Sequence, residues 1–269
     1  MERPAWPGNA MSSVITIEDR FRAAKATGHK LLVPYITGGY PGWTDAVRAA
    51  AANGADAVEI GIPFSDPVMD GPVIQQASLV ALRAGAIPPS ILDEAATLDI
   101  GIPTAVMTYY NIVHHDGHRR FAGRLIDAGV SGCILPDLPL EESGPWCRAA
   151  DDAGVETIML AAPTASDERL ERVVKRVRGF VYSVGLLGVT GERTTLAATA
   201  TALAARLVKI TDKPVLVGVG VSDAAQAREA CAVADGVAQG ASVVRRLMEG
   251  GPDAVGTYVA EVRKAIDAG

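Results

Sequence analysis

The sequence is poor in aromatic residues, in cysteine and in excess positive charge, and each scarcity removes a class of protein. Aromatics make up 5% of the 269 residues while hydrophobic residues make up 49%. The core must therefore be built from Ala, Val, Leu and Ile, residues suited to parallel strands buried on both faces. Three cysteines, Cys133, Cys147 and Cys231, stand at spacings that match neither a zinc site nor a disulfide framework. Cys133 lies in an apolar, strand-like run and reads as a small core residue. A net charge of −6 and a pI near 5.3 argue against the basic patch of a nucleic-acid binder. No apolar run approaches the ~18 residues that a membrane-spanning helix requires. The first ten residues include Glu2, Arg3, Pro4 and Pro7 without an apolar h-region, so they are not a secretory signal. Residues 1–11 are expected to form a disordered tail, with Met11 an alternative start, and residues 12–269 a single domain. A cytoplasmic protein is the simplest expectation.

What is present is a repeated unit: a short apolar run, a loop containing Gly, Pro or Asp, then an Ala-rich amphipathic stretch. Eight apolar runs qualify as strands: Leu31–Ile36, Ala57–Ile62, Thr104–Tyr109, Gly132–Leu135, Thr157–Ala161, Phe180–Val184, Val215–Val219 and Gly236–Gln239. Helices are expected over Thr44–Ala52, Arg119–Ala128, Glu141–Ala153, Ala198–Ile210 and Ala224–Ala232. Gly54, Gly129 and Gly154 are placed to end helices in the left-handed conformation. Asp167 and Ser222 are placed to cap helix N-termini. Eight alternating β and α units without a second composition regime predict a closed (β/α)8 TIM barrel. Further helices, at Ser12–Ala26 and Pro72–Ala84, read as decorations, and Asp253–Ala268 completes the outer ring. An open doubly wound sheet is the alternative. It calls for a glycine-rich fingerprint after the first strand, which Thr37-Gly38-Gly39-Tyr40-Pro41 does not supply.

Glu59 stands out, because a carboxylate inside an apolar run loses solvation on folding. Asp70 follows eleven positions later, across a loop bounded by Pro and Gly. Such a pair suits acid/base chemistry at a pocket mouth, whereas a structural ion pair for Glu59 is the plainer alternative. Alternation along the strand predicts that Val58 and Ile60 face the helices while Ala57, Glu59 and Gly61 face the barrel interior. That places Glu59 near the carboxyl end of strand two, where barrel active sites form.

Glycines also cluster in the last loops, in Gly188-Val189-Thr190-Gly191, Gly220-Val221-Ser222 and Gly240-Ala241-Ser242. Backbone N–H groups of such loops and helix N-termini bind phosphate. The run His114-His115-Asp116-Gly117-His118 invites a metal reading, but no acid at another strand end pairs with it visibly. A solvated loop is expected there instead, and no metal. His29 is expected at the opposite, non-catalytic end of the barrel.

The segment from Glu59 to Pro72, E-I-G-I-P-F-S-D-P-V-M-D-G-P, resembles the signature of the tryptophan synthase alpha subunit family. Pro34–Pro41, Thr108-Tyr109-Tyr110-Asn111, Leu135–Glu142 and Gly188–Gly191 support the resemblance, which runs from about Phe21 to Ala265. It implies retro-aldol cleavage of indole-3-glycerol phosphate to indole and glyceraldehyde 3-phosphate, without metal or organic cofactor in this chain. Carried over by position, Glu59 would be the acid/base, and Asp70 would hold the indole N–H. Tyr182 would be the active-site tyrosine and Tyr109 would line the indole pocket. Gly191, Gly220 and Gly240 align with phosphate-binding positions, and Thr190 with the loop threonine that contacts the loop-two aspartate on closure. Pro63, Asp66, Asn111 and Pro139 match positions near a pyridoxal-phosphate beta subunit, which implies an alpha2-beta2 heterotetramer.

Two departures accompany the resemblance. Gly185-Leu186-Leu187-Gly188 lacks the family's Ser-Arg pair, and Ala241 replaces the serine of the strand-eight phosphate site. Losing that hydroxyl removes about 1.5–3 kcal/mol of phosphate affinity, unless Ser242 takes its place. The missing arginine fits one alternative, a stand-alone lyase that releases free indole; a second alternative, a catalytically weak paralogue acting as a binding or regulatory partner, is opposed by the intact Glu59 and Asp70. A ring-modified substrate is compatible with the same pocket.

Overall fold

The computed structural model describes residues 16–185, 198–218 and 220–268. Eight strands form a closed parallel barrel in chain order: β1 (Leu31–Thr37), β2 (Val58–Gly61), β3 (Thr104–Met107), β4 (Gly132–Ile134), β5 (Glu156–Ala161), β6 (Val181–Ser183), β7 (Val215–Val217) and β8 (Gly236–Gln239). Helices α1 (Ile17–Ala26), α2 (Trp43–Ala52), α3 (Pro72–Arg83), α4 (Pro88–Ala95), α5 (Tyr110–Asp116) and α6 (His118–Asp127) belong to the first half. The second half carries α7 (Gly144–Ala153), α8 (Asp167–Arg176), α9 (Ala198–Ile210), α10 (Ala224–Cys231) and α11 (Ala241–Asp267). Among the described residues, no helix is long and apolar enough to cross a membrane.

The expected alternation of faces holds. Val58, Ile60, Val106 and Cys133 pack in one apolar shell with helix residues such as Val47, Leu125 and Trp146. Ala57, Ala105, Ile134, Ile158 and Leu216 fill the barrel interior. Cys133 is a buried free thiol in this core, and Gly54, Gly129 and Gly154 all take positive φ at helix ends.

Helix α1 is not a decoration. Its Ile17 and Phe21 are fully buried in the interior cluster, with Phe21 5.6 Å from the ring of Phe180. Each such side chain contributes about 1.5–3 kcal/mol on burial, so α1 closes the amino end of the barrel as a plug. Its first turn is held from across the chain. Glu156, at the start of β5, accepts hydrogen bonds from the N–H groups of Ile17 (2.7 Å) and Glu18 (2.8 Å). Thr16 caps the same turn through Asp19 N–H. A carboxylate here also meets the positive end of the helix dipole, although burial pushes the Glu156 carboxyl up to about 7.

Several local expectations are corrected. The cap of α8 is Ser166, not Asp167, and that of α10 is Asp223, not Ser222. In each case the side chain with reach to the N–H three residues on wins the capping role. Asp167 falls in the first helical turn and pairs with Arg206. The helix expected from Glu141 begins at Gly144, because Pro145 sets its first turn and Leu138–Ser143 close turns of their own. Helices α4 and α5 were not anticipated from periodicity, being short. Strand three ends at Met107, since Tyr109 caps α5, and the final helix starts at Ala241 with a break at Gly251 (φ 71°). The histidine run is not a loop. His114 and His115 lie in α5 and His118 opens α6, where His118 stacks on Tyr110, bonds its hydroxyl (2.9 Å) and meets Trp146 edge-on. His29 sits at the amino end as expected, 2.9 Å from Asp56. Outside the described residues lie the expected tail (residues 1–11), Ser12 to Ile15 of the first helix, and Val219 of the seventh strand.

The Glu156 clamp predicts that Glu156→Gln, which turns one acceptor into a donor facing an N–H, lowers stability by about 1–3 kcal/mol. Urea denaturation at pH 8 followed by circular dichroism measures it; an unchanged midpoint removes the clamp as a stabilising contact.

Candidate active site

Strand register brings the site together. Glu59 on β2 stands beside Tyr35 on β1 and Ala105 on β3. Its side chain is 1% exposed, and among the described residues neither carboxyl oxygen has a hydrogen-bond partner. Among the described residues no cation reaches it, so none of them supports the alternative of a structural ion pair. Burial, and next the charge of Asp70, push the Glu59 carboxyl from 4.5 up to about 8. A buried carboxyl without hydrogen bonds prefers its neutral form, because ionisation in a poorly solvated site is costly.

Asp70 ends the loop after β2, immediately before Gly71 caps α3 and Pro72 opens it. It is partly buried, and its carboxyl is raised to about 6 by burial, against a hydrogen bond from Tyr109 that lowers it. The same Tyr109 hydroxyl accepts the Met69 N–H at 2.9 Å, and its ring stacks on Phe64 at 5.0 Å. Tyr109 thus staples the loop in place through both ring and hydroxyl, a role the sequence did not suggest. Two carboxyls with different environments result: Glu59 is neutral at pH 7 and Asp70 mostly ionised.

Tyr182 on β6 is 7% exposed and reaches the Gly218 carbonyl at 3.4 Å. Burial, and then the Glu59 charge, hold its phenol well above the ordinary value. Tyr35 was missed as a site residue. It is buried, coupled electrostatically to Asp70 and Glu59, and wedged against Ile74, Ala77 and Val244. The signal lay in the glycines. A Cβ at Gly61 would lie 1.8 Å from the Tyr35 hydroxyl, and one at Gly218 would lie 1.8 Å from the Tyr182 ring. Each glycine leaves room for a tyrosine on the adjacent strand.

Of the glycine loops, Gly220 takes φ 86°, and Gly240 and Ala241 form the N-terminus of α11. Backbone N–H groups at a helix start suit an anion. Ser242 is 1% exposed, so its hydroxyl does not stand at the surface in place of the absent serine. Thr190 and Gly191, with the departure at Leu186 to Gly188, lie outside the described residues. Beside the carboxyls, the carboxyl ends of β4 and β5 border a cavity of about 360 Å³, whose lining includes Met69, Leu160 and Val184 but neither Glu59 nor Asp70.

Comparison with known proteins agrees with this geometry. The family model described as "Tryptophan synthase alpha chain" matches residues 21–265. The tryptophan synthase alpha chain of Streptomyces coelicolor is 44% identical over 252 residues, covering 91% of this chain and 92% of that one. That of Thermobifida fusca is 44% identical over 89% and 91% of the two chains. Among solved structures, a Mycobacterium tuberculosis tryptophan synthase superposes with a TM-score of 0.87 at 36% identity, covering 94% of this chain and 98% of that one. With a matched segment that runs through every strand of the barrel, this chain belongs to the tryptophan synthase alpha chain family.

Proposed function

We infer that this chain is a lyase that cleaves indole-3-glycerol phosphate to indole and glyceraldehyde 3-phosphate. The observation that carries the reading is the Glu59 carboxyl, buried, without a hydrogen-bond partner among the described residues, and raised to about 8 beside Asp70 at about 6. Neutral Glu59 gives its proton to indole C3, and ionised Asp70 accepts the ring N–H and stabilises the positive charge of the indolenine. The resulting Glu59 carboxylate takes the proton of the glycerol hydroxyl next to the ring. The C–C bond then breaks, its electron pair returns to the ring, and Glu59 is again neutral. Tyr182 and Tyr109 bound the reacting ring. Gly220, Gly240 and Ala241, with Thr190 and Gly191, are the positions assigned to the phosphate end. A beta subunit carrying pyridoxal phosphate, in an alpha2-beta2 assembly, is the partner that fits this product, and a stand-alone lyase is the second reading, favoured by the absent Ser-Arg pair. No feature of the described site favours the weak paralogue.

Glu59→Gln is expected to lower turnover by roughly 10³-fold or more; near-normal turnover would remove Glu59 from the chemistry. The same variant tests the burial argument. A carboxyl at 4.5 unfolded and about 8 folded contributes stability in full below pH 4.5 and loses it as pH rises through about 8. The unfolding free energy of the native chain should therefore decline across that window, and Glu59→Gln should flatten its share of the decline. The pH profile of kcat/KM should be bell-shaped, rising as Asp70 ionises near 6 and falling as Glu59 loses its proton near 8. Asp70→Asn should lose turnover and the acid limb together. Indole release by the purified chain, with and without a beta subunit, separates the two readings: strong activation supports the heterotetramer, and a fast isolated enzyme the stand-alone lyase.

A further inference from the structure

The hydroxyls of Tyr35, Tyr109 and Tyr182 surround the two carboxyls, and two of them are already engaged. Tyr109 accepts the Met69 N–H and bonds the Asp70 carboxyl. Tyr182 donates to the Gly218 carbonyl at 3.4 Å. Tyr35 differs. Among the described residues no carbonyl or carboxylate takes its proton, and its polar neighbour on β1 is another hydroxyl, that of Thr37.

The strands decide where the Tyr35 hydroxyl lies. Tyr35 follows Leu31 and Val33 on the inward face of β1 and pairs in register with Glu59. Its ring, wedged against Ile74, Ala77 and Val244, carries the hydroxyl over Gly61, where a Cβ would stand 1.8 Å from it. Gly61 is the next residue of β2 after Glu59 to face inward. Like-facing residues of one strand are about 6.6 Å apart, a span that a glutamate side chain covers when its carboxyl turns toward the mouth. Burial, and next the charge of Asp70, with that of Glu59 adding to it, hold the phenol well above its ordinary value. The hydroxyl therefore keeps its proton at neutral pH and stays a donor.

Neutral Glu59 stands without a hydrogen bond among the described residues. The reaction inferred above changes its needs. Once the proton has gone to indole C3, a carboxylate is left in a buried site, where a charge without hydrogen bonds is costly. A donor that meets only this anion lowers the barrier without stabilising the resting acid. We propose that Tyr35 is a positioning residue for Glu59, its hydroxyl donating a hydrogen bond to the carboxylate formed on proton transfer and steadying it until it takes the glycerol hydroxyl proton. Tyr35 keeps its own proton throughout, so the proton balance of the reaction is unchanged. The place in turnover rests on the lyase reading, whereas the hydrogen bond to ionised Glu59 is measurable without substrate.

Tyr35→Phe keeps the ring and its packing and removes only the hydroxyl, so a space-filling role predicts no change. In the whole ligand-free chain labelled with 13C at the glutamate carboxyls, the Glu59 signal is the one absent from Glu59→Gln. Its midpoint should lie about 1–2 pH units higher in Tyr35→Phe, the equivalent of one charge-assisted hydrogen bond. With indole-3-glycerol phosphate, kcat and kcat/KM should fall together by roughly 10–100-fold, and the alkaline limb should move up with Glu59. Tyr182→Phe should move the midpoint less, its hydroxyl being held by Gly218. Incorporation of 3-fluorotyrosine at position 35, a stronger donor of nearly the same shape, should move it down, which keeps the test decisive if Tyr35→Phe does not fold. An unmoved midpoint or unchanged kcat in Tyr35→Phe, or a larger shift in Tyr182→Phe, overturns the proposal while leaving the lyase reading intact. A shifted midpoint in a chain that fails to cleave indole-3-glycerol phosphate supports the hydrogen bond and overturns the lyase reading alone.

Discussion

The arrangement of the candidate site depends on one costly placement: a carboxyl group inside a sheet interior, with no cation or hydrogen bond among the described residues to offset its desolvation. Glu59 keeps its place because β2 is paired on both sides, to β1 and β3, and cannot rotate its inward face away without losing register. The cost appears as a preference for the neutral form, which is the form a proton donor needs at neutral pH. Asp70 escapes the same fate by lying at a loop end, partly exposed, with the Tyr109 hydroxyl favouring its anion. One environment makes an acid and the other an anion, although the two residues are chemically near-identical.

Around this pair the barrel is asymmetric in how it uses small residues. Gly61 and Gly218 sit where any side chain would collide with Tyr35 and Tyr182, so the strands lend their missing volume to two phenol rings at the mouth. The opposite end is closed by apolar mass, with Ile17 and Phe21 of α1 inserted beneath Phe180. The buried carboxyl pair and closure by apolar burial are thereby kept at opposite ends of one cylinder, the division that (β/α)8 folds permit.

Much of the architecture was legible because it is local. Eight apolar runs and an Ala-rich spacing between them report period and length. Val58, Ile60, Ala57 and Glu59 alternate as a strand must, and that pattern alone places Glu59 on the inward face. The cap positions near Asp167 and Ser222 were each off by one residue, since neighbouring Ser and Asp side chains compete for the same N–H group and only backbone geometry decides. The short helices α4 and α5 escaped notice because seven or eight residues hold too few turns to display a period. The histidine run misled because its charge pattern looks solvated, whereas His118 is packed between Tyr110 and Trp146.

By itself, then, the sequence determined the repeat, the inward face of β2 and the family signature, all of which are properties of residues near one another along the chain. Tertiary structure decided what depends on distant partners. Glu156 finds Ile17 across 139 positions, Tyr35 stands beside Glu59 only through the β1–β2 register, and the cavity lined by Leu135, Trp146 and Leu160 depends on how α7 and α8 cover β4 and β5. These are outcomes of packing, in which the space left between elements matters as much as the residues that line it, and no pattern of neighbours along the chain encodes that space.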